Sequence, residues 1–295
     1  MRKLLLGTDW WTDCDDAVAI RILARAQREG IWQLCGVVIN ACMEYSVRSL
    51  RGFLRHEGLG GVPVAIDRDA TDFGRKPPYQ RRLAERLGEG FTEADAGDPA
   101  VLMRTVLAGC ADGELEMIEI GYPQCLAALL ASPPDGISPL CGRDLVAKKV
   151  ARLWMMAGNY EHEERGKENN FARNARASRG GAAVCRDWPT PVTFLGWEAA
   201  NTILSGGGLP ADDPLAGALA DHGSAGGRSS WDPLTVYMAM CGSPAAAGLE
   251  EVRGTVTVDS ATGENSFVRD SAGRHAYVKK LHEDRWYEER LNGML

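Results

Sequence analysis

Residues 3–17 of the chain read Lys3-Leu4-Leu5-Leu6-Gly7-Thr8-Asp9-Trp10-Trp11-Thr12-Asp13-Cys14-Asp15-Asp16-Ala17. The first part, Lys3 to Thr8, is a short apolar run that predicts a buried strand. From Asp16 to Gln27 the apolar residues recur at helical spacing, which predicts a helix. A buried strand joined to a helix through a short polar loop is the usual start of a β-α-β unit. The stretch therefore predicts an α/β fold.

The rest of the chain repeats this alternation of short apolar runs and longer amphipathic stretches. Further strands are predicted over 33–40, 62–66, 115–121, 150–156 and 192–195, and helices over 45–55, 80–87, 100–110 and 124–131. Right-handed crossovers between such strands give an open, mostly parallel, doubly wound sheet. Residues 205–230 predict a mobile loop with one helix, and 253–258 with 275–295 a small antiparallel C-terminal appendix and a closing helix. Without repeats or a linker, a single domain over 1–295 is expected.

Composition excludes several classes of function. The 295 residues are 45% hydrophobic and 25% charged with a net charge of −7, and no long basic run occurs, which disfavours nucleic acid and anionic membranes as partners. No apolar run approaches the ~20 residues that span a bilayer. The N-terminal apolar run is too short for a signal peptide. The eight cysteines form no C-x-x-C pair, which favours reduced thiols in a cytoplasmic protein.

The loop after the first strand holds four carboxylates in eight residues: Asp9, Asp13, Asp15 and Asp16. Like charges this close repel one another, and a bound cation relieves the repulsion. Calcium, with ~6–8 oxygen ligands, suits such a cluster. The alternative is helix capping by Asp13, with the two later aspartates in the first turn. Capping leaves Asp9 unexplained, because it lies too far upstream.

This loop resembles the first loop of the nucleoside hydrolase family, in the longer bacterial form Thr-Asp-x-Gly-Thr-Asp-x-Asp-Asp-Ala. Trp11 stands in place of the family's glycine, and Gly7 stands where a leading aspartate is common. The resemblance implies an open α/β sheet with a calcium site beyond its strands. The matching segments run from Thr8 to Leu234 in the family's order.

The resemblance also assigns roles to the aspartates. Asp9 and Asp16 would bind calcium, and Asp15 would be the general base that acts on a calcium-bound water. Asp13 belongs to a two-residue insertion and competes with Asp15 for that assignment. Asp232, in Ser229-Ser230-Trp231-Asp232-Pro233-Leu234, matches the aspartate that closes the calcium shell.

Two further strand ends match the family. Asn40 follows the second strand, where a family asparagine supports the ribose and the calcium shell; a strand-terminal asparagine is also a common turn former. Gly121-Tyr122-Pro123-Gln124-Cys125 takes the place of Gly-Pro-Leu-Thr-Asn, which implies that the backbone carbonyl of Gln124 is a calcium ligand.

The segment from Glu168 to Asn174 resembles the family's Glu-x-Asn-x-x-x-Asp, in which the first two side chains hold ribose hydroxyls. Glu168 and Asn170 suit a vicinal diol, because a carboxylate accepts from hydroxyls and a carboxamide both donates and accepts. Asn174 is expected to cap the next helix. Asn159 lies near the place of another ribose-contacting asparagine, although His162 stands at the family's spacing. The alternative for the Glu168–Asn170 pair is a solvated loop.

Trp231 matches the purine-preferring branch of the family, in which a tryptophan stacks on the base. Trp10, Trp11 or Tyr79 would supply the other face of the stack, and packing of Trp231 against the sheet is the alternative. His222, ten residues before Asp232, is a candidate acid for the leaving base, unless it is an ordinary surface histidine.

These assignments predict a purine-nucleosidase type of N-glycosyl hydrolase. It would use Ca²⁺ to hydrolyse ribonucleosides such as inosine or guanosine to ribose and free base, as in nucleoside salvage. The alternatives are a hydrolase of another N-riboside, such as nicotinamide riboside or a modified nucleoside, and a ribose- or nucleoside-binding protein with impaired turnover. Relatives in the family lead us to expect a homodimer or homotetramer.

Overall fold

A computed structural model of the chain describes residues 1–75 and 77–295. The strands are β1 (Arg2–Thr8), β2 (Trp32–Ile39), β3 (Val64–Ile66), β4 (Leu115–Glu119), β5 (Val150–Met156), β6 (Val192–Leu195), β7 (Leu204–Ser205), β8 (Arg228–Ser229), β9 (Leu249–Val258), β10 (Asn265–Arg269) and β11 (His275–Lys280). The helices are α1 (Asp15–Arg28), α2 (Ser46–His56), α3 (Pro78–Leu87), α4 (Pro99–Ala108), α5 (Gln124–Ala131), α6 (Gly142–Lys149), α7 (Asn169–Ala172), α8 (Ala175–Asp187), α9 (Trp197–Ala200), α10 (Pro214–His222), α11 (Trp231–Cys241) and α12 (Asp284–Asn292).

Nine strands form one sheet in the order β10-β9-β11-β6-β5-β4-β1-β2-β3. From β11 through β6 to β3 every neighbouring pair is parallel. The chain runs outward from β1 through β2 to β3, then returns to β4 on the other side of β1. The order therefore reverses between β1 and β4. In open α/β sheets a crevice opens at this point, beyond the carboxyl ends of the strands, and ligands bind there.

The sheet is covered on both faces, as predicted for parallel strands joined by helices. Along β1, Leu4 and Leu6 point into one core with residues of α1, α2, α10, α11 and α12. Leu5 points into the other core with residues of α4, α5, α6 and α8. This alternation follows from the two-residue period of a strand. The predicted doubly wound, mostly parallel α/β architecture is confirmed.

The C-terminal strands are antiparallel, as expected, but they do not form a separate appendix. β9 pairs antiparallel with both β10 and β11, and β11 pairs in parallel with β6. The antiparallel strands thus extend the edge of the main sheet. The predicted closing helix is α12, and the glycine-rich segment over 205–230 contains one helix, α10. Helix α6 was not predicted, because its eight residues are too few and too polar to show a clear apolar period.

All eight cysteines are free thiols, and four of them are buried: Cys14, Cys110, Cys125 and Cys185. The expectation of reduced thiols therefore agrees with the structure. Across residues 1–75 and 77–295, no helix combines the length and the apolar character needed to cross a bilayer.

Asn174 caps α8, as predicted, and its side chain accepts a hydrogen bond from the backbone N of Ala177 at 3.0 Å. Asn174→Ala is expected to lower the free energy of unfolding by about 1 kcal/mol, because the helix loses this acceptor. Asn174→Asp is the matched control. The buried Nδ2 has no partner, so an aspartate should be at least as stable at this end of the helix dipole. Urea unfolding measures both variants, and equal stability of Asn174→Ala and the wild type would contradict the capping role.

Candidate active site

A cavity of about 270 Å³ opens at the reversal point of the sheet. Its walls come from the loop after β1, the segments that follow β4 and β5, and the start of α11. Among the predicted site residues, those that line it are Asp9, Asp15, Asp16, Glu168, Asn170, Trp231 and Asp232. The chain thus brings residues from distant parts of its sequence to one place.

Three carboxylates converge at the floor of the cavity. Asp15 and Asp16 open α1, and Asp232 lies in the first turn of α11. One oxygen from each side chain lies within 4.8 Å of the others, and all three residues are buried. Asp9 lines the same cavity and is also buried. A fourth carboxylate therefore adjoins the three.

Hydrogen bonds orient these carboxylates and leave one oxygen free. Oδ1 of Asp16 accepts from the hydroxyl of Thr8 and from the backbone N of Trp10. Its Oδ2 is buried and has no hydrogen-bond partner in the part of the chain that the structure describes. Oδ2 of Asp15 accepts from the backbone N of Asp232 at 3.0 Å. Oδ1 of Asp9 accepts from a backbone N at 3.0 Å. The loop and the helix ends thus preset the carboxylates while leaving lone pairs toward the cavity.

Burial and mutual repulsion raise the pKa values of the carboxyl groups in this cluster. Burial, with added repulsion from neighbouring aspartates, raises the pKa of Asp9, Asp15 and Asp232 well above the usual range. Burial also raises the pKa of Asp16 to about 7. A hard cation would relieve this repulsion, and oxygen-only donors are the set that calcium or a similar ion prefers. The residues present therefore fit a bound divalent metal.

Asp13 does not join this cluster. Arg228 donates from Nε to its Oδ1 at 2.6 Å and from Nη2 to its Oδ2, so the guanidinium neutralises the carboxylate. The N-cap position of α1 is Cys14, and no side chain caps this helix, so the capping alternative for Asp13 is wrong. Asp13, Cys14 and His222 also lie close together, but both oxygens of Asp13 are used by Arg228.

Glu168 and Asn170 lie on the wall beside the carboxylates. Glu168 precedes α7 and accepts from the backbone N of Gly158 at 3.0 Å and of Asn170 at 2.8 Å. Nδ2 of Asn170 donates to the carbonyl of Met156 at 2.9 Å, at the end of β5. Both side chains are buried, which excludes the solvated-loop alternative. Burial raises the pKa of Glu168 to about 7, against these backbone hydrogen bonds.

Four predicted site residues do not line the cavity: Asn40, Asn159, Gln124 and His222. Nδ2 of Asn40 donates to Glu119 at 2.8 Å and its Oδ1 accepts from the backbone N of Tyr122, so the side chain links strand ends and does not line the cavity. Asn159 also lies outside the cavity lining, and its backbone is bonded to the side chain of Asn265. Oδ1 of Asn159 accepts from the backbone N of Glu161 at 3.0 Å. The side chains of both asparagines thus bind neighbouring backbone groups, and a contact of either with ribose remains a prediction.

Gln124 begins α5, and its side chain turns away from the cavity, donating to the carbonyl of Asn40 at 2.7 Å. It is not among the residues that line the cavity. The role predicted for its backbone carbonyl as a calcium ligand remains a prediction.

The candidate acid His222 lies behind Asp13 and does not line the cavity. Its Nδ1 is 2.9 Å from the hydroxyl of Ser224, and its Nε2 is 3.9 Å from Oδ1 of Asp13. Burial lowers its pKa, which disfavours the protonated form that an acid needs. The predicted place of His222 at the leaving base is therefore not supported by the geometry.

The aromatic residues that line the cavity differ from those predicted to stack on the base. Trp231 lines the cavity beside Trp197, with ring centroids 6.4 Å apart and planes 27° apart, and its Nε1 donates to the carbonyl of Trp197. Trp11 lines the opposite part of the cavity rim with Arg173 over its ring. Trp10 and Tyr79 are fully buried in the core, so their proposed stacking on a base is wrong.

Glu119 is a buried carboxylate near the site that was not predicted from the sequence. A Cβ at Gly7 would lie 2.1 Å from Oε2 of Glu119, so this carboxylate fills the space that a side chain at position 7 would occupy. Gly7 stands where the family often has an aspartate, and the neighbouring strand supplies a carboxylate instead. The signal was present, because a glutamate within the apolar run Met117-Ile118-Glu119-Ile120 needs a buried partner.

Gly121 lies in close contact with the ends of β1 and β2. A Cβ there would lie 2.3 Å from the backbone N of Asp9 and 2.5 Å from Oδ1 of Asn40. A larger residue would push apart the ends of β1, β2 and β4. Arg173, Trp197 and Arg228 also line the cavity and were not predicted. Arg173 occupies a variable position of the Glu168–Asn174 motif, and the other two lie outside the matched motifs.

No family model matches the sequence, and no curated protein matches it significantly. Solved structures match over almost the whole chain. An inosine-uridine preferring nucleoside hydrolase from Bacillus anthracis has a TM-score of 0.67 at 17% identity, with 100% of both chains covered. A purine-preferring ribonucleoside hydrolase from Gardnerella vaginalis has a TM-score of 0.68 at 17% identity, with 99% of both chains covered.

The type III effector protein XopQ, solved in complex with adenosine diphosphate ribose, has a TM-score of 0.66 at 18% identity, with 99% of this chain and 93% of the effector covered. Hydrolases and an effector thus share one architecture with this chain. Full-length coverage by structures of this kind agrees with the α/β sheet described above. The chain has the nucleoside hydrolase fold.

Proposed function

We propose that this protein is a calcium-dependent N-ribohydrolase that cleaves purine ribonucleosides to ribose and free base. One observation carries the proposal: Asp15, Asp16 and Asp232 converge in the cavity at the sheet's reversal point, beside Glu168 and Asn170. The carboxylates would hold a metal that binds the ribose hydroxyls, and the polar side chains of Glu168 and Asn170 would form hydrogen bonds with the sugar. The purine-preferring ribonucleoside hydrolase among the similar structures favours the same substrate class.

The residues that would hold the ion are Asp9, Asp16 and Asp232, and the unpaired Oδ2 of Asp16 is the clearest vacant donor. Calcium when bound supplies Lewis-acid activation of water and a binding point for a vicinal diol. The other predicted ligand, the carbonyl of Gln124, would come from the start of α5.

Asp15 is the proposed general base. Its carboxylate is oriented by the backbone N of Asp232, and it faces the cavity, whereas the competing Asp13 is paired with Arg228. A base must have a free oxygen within reach of the attacking water. Within residues 1–75 and 77–295, the hydrogen bond to the Asp15 carboxylate goes to Oδ2 and leaves Oδ1 free, whereas both oxygens of Asp13 are taken by Arg228.

Glu168 and Asn170 would position the sugar. Glycosidic cleavage passes through a sugar with developing positive charge, which nearby carboxylates stabilise. Glu168 and Asp15 both line the cavity and are the carboxylates that would do so. The base would stack against Trp231, whose ring lies half-exposed at the mouth. Such stacking is worth ~1–3 kcal/mol per base in nucleic-acid complexes.

A riboside-binding protein without turnover is the second candidate. The side chains of Asn40 and Asn159 are hydrogen-bonded within the protein and lie outside the cavity lining, which favours a site with fewer contacts to ribose. The effector XopQ, solved with adenosine diphosphate ribose, shows that this fold occurs outside hydrolases named for nucleosides. Hydrolysis of other N-ribosides, such as nicotinamide riboside, is a variant of the first proposal with the same metal and sugar site.

Reducing-sugar release from a nucleoside panel tests these candidates. We expect release of ribose from inosine and guanosine, abolition by a calcium chelator, and recovery when calcium is added in excess. Nicotinamide riboside in the same panel separates the variant substrate. Ribose binding by calorimetry, with no sugar released from any member in the presence of calcium, would overturn the hydrolase proposal in favour of the binding protein.

A further inference from the structure

Arg228 is a cationic side chain that lies near Trp197 and Trp231, the two tryptophans that form the aromatic wall of the cavity, and the proposed mechanism does not yet use it. It lies in β8, directly before the helix that carries Trp231 and Asp232, and it lines the cavity. Its guanidinium carbon is 5.1 Å from the centre of the Trp231 ring. The guanidinium lies over the face of that ring, so a base that enters the cavity beside Trp231 comes next to the guanidinium.

The hydrogen bonds of Arg228 leave donors available to such a base. A guanidinium has five N–H groups in a fixed plane. Asp13 takes one from Nε and one from Nη2, which leaves three. The two-point contact with Asp13 also holds the plane in one orientation, so the remaining donors need little reordering when a ligand arrives. The pair is half-buried, with 28% of the Arg228 side chain and 23% of the Asp13 side chain exposed.

Other polar groups near this wall are already used or badly placed. Nε1 of Trp231 donates to the carbonyl of Trp197 at 2.8 Å. His222 lies behind Asp13 and outside the cavity lining. Arg173 is held at another part of the rim, by the carbonyl of Phe73 and the ring of Trp11.

We propose that Arg228, oriented by Asp13, binds the acceptor edge of the leaving base and stabilises its negative charge as the glycosidic bond breaks. The assignment deepens the proposed function and rests on it. Paired acceptors that match an arginine fork are N7 and O6 of a 6-oxopurine, the same edge that arginine reads in guanine. The preferred substrates are therefore 6-oxopurine ribosides, and adenosine, with an amino group at position 6, is a poorer one.

The step balances without an acid at the base. The oxygen of water forms a bond to C1′, the C1′–N9 bond breaks, and its electron pair leaves with N9. The proton of the water goes to Asp15 and then to solvent. Arg228 keeps its proton, because a guanidinium does not deprotonate in proteins, so it acts by hydrogen bonding and charge. The released purine anion takes a proton from solvent.

Two substrates with different leaving groups distinguish stabilisation of the leaving base by Arg228 from a general effect of Arg228 on the site. Inosine needs stabilisation of its base, whereas 4-nitrophenyl β-D-ribofuranoside loses nitrophenolate, a good leaving group that needs no help. In Arg228→Gln we expect kcat/KM for inosine to fall by about 10²–10³-fold, the cost of one lost transition-state donor. The nitrophenyl riboside should fall far less. Arg228→Lys keeps the charge but loses the fork, so its loss on inosine should be intermediate.

Arg173→Gln is the matched control, since it removes another arginine from the same cavity. The ratio of its rates on the two substrates should equal that of the wild type. Equal losses on both substrates in Arg228→Gln, or no loss on inosine, would overturn the assignment of Arg228 and leave the hydrolase standing. No sugar release from either substrate by the wild type with calcium present would overturn the proposed function, and this assignment with it.

A modified substrate tests the contact itself. 7-Deazainosine lacks the N7 acceptor, so the wild type should hydrolyse it more slowly than inosine. Arg228→Gln should show little further loss on it, because the contact is already absent. Losses from the variant and from the modified base that simply multiply would contradict a direct contact at N7.

Discussion

Asp15→Asn is expected to lower kcat for riboside hydrolysis by about 10²–10⁴-fold, the usual contribution of a general base. The substitution keeps the size of the side chain and an oxygen that can accept from the backbone N of Asp232. It removes the ability to take a proton from the attacking water. Both inosine and the nitrophenyl riboside should be affected equally, because both reactions need that water.

Asp13→Asn is the control for Asp15, because it removes a carboxylate two residues away on the same loop. Asp13 lines the same cavity, but it is paired with Arg228 and is not one of the three carboxylates that converge there. Its loss on the nitrophenyl riboside should be much smaller than that of Asp15→Asn. The reverse order of losses would make Asp13 the base. Calcium titration of both variants completes the test: if excess calcium restores Asp15→Asn, Asp15 acts as a ligand and its assignment as the base is wrong.

Calcium is expected to raise the melting temperature by about 5–10 °C at a concentration 100 times its Kd. Binding to the folded state alone contributes about 2.7 kcal/mol at that concentration, and each kcal/mol shifts Tm by about 2–4 °C in a chain of this size. The physical source is the repulsion among Asp9, Asp15, Asp16 and Asp232 in the calcium-free protein.

Asp16→Asn should have opposite effects in the two states. Without calcium it removes one buried charge while Oδ1 still accepts from Thr8 and Trp10, so the calcium-free Tm should rise. With calcium the stabilisation should largely disappear, because the vacant oxygen of Asp16 is lost as a ligand. Differential scanning calorimetry with and without a chelator measures both. A full calcium-dependent shift retained in Asp16→Asn would contradict its place in the metal site.

The sign of the pH dependence follows from the raised pKa of Asp16. A carboxyl whose pKa is raised on folding binds protons more tightly in the folded chain than in the unfolded one. The contribution of this group therefore makes the calcium-free fold lose stability as the pH rises from 3.8 to about 7. Saturating calcium should flatten this dependence, and the same calorimetry over that pH range would show it.

Most of the sheet could be predicted from the sequence. The strands over 150–156 and 192–195 and the helix over 124–131 were predicted with the bounds that β5, β6 and α5 have. Such elements are buried on at least one face, so their apolar period appears in contiguous residues. The polar helix α6 and the pairing of β11 with β6 could not be predicted in this way, because they depend on contacts with distant strands.

The sequence by itself determined the α/β class, the acidic loop after β1 and the local motifs at Glu168 and Trp231, because each is a pattern of neighbouring residues. Only the tertiary structure decided which of those side chains meet. In the folded chain Asp232 lies beside the carboxylates of Asp15 and Asp16, and Asp13 is paired with Arg228. The side chain of Asn40 is hydrogen-bonded to Glu119. The physical reason is that side-chain direction at the sheet edge is set by strand order and helix packing, which join residues far apart in the chain.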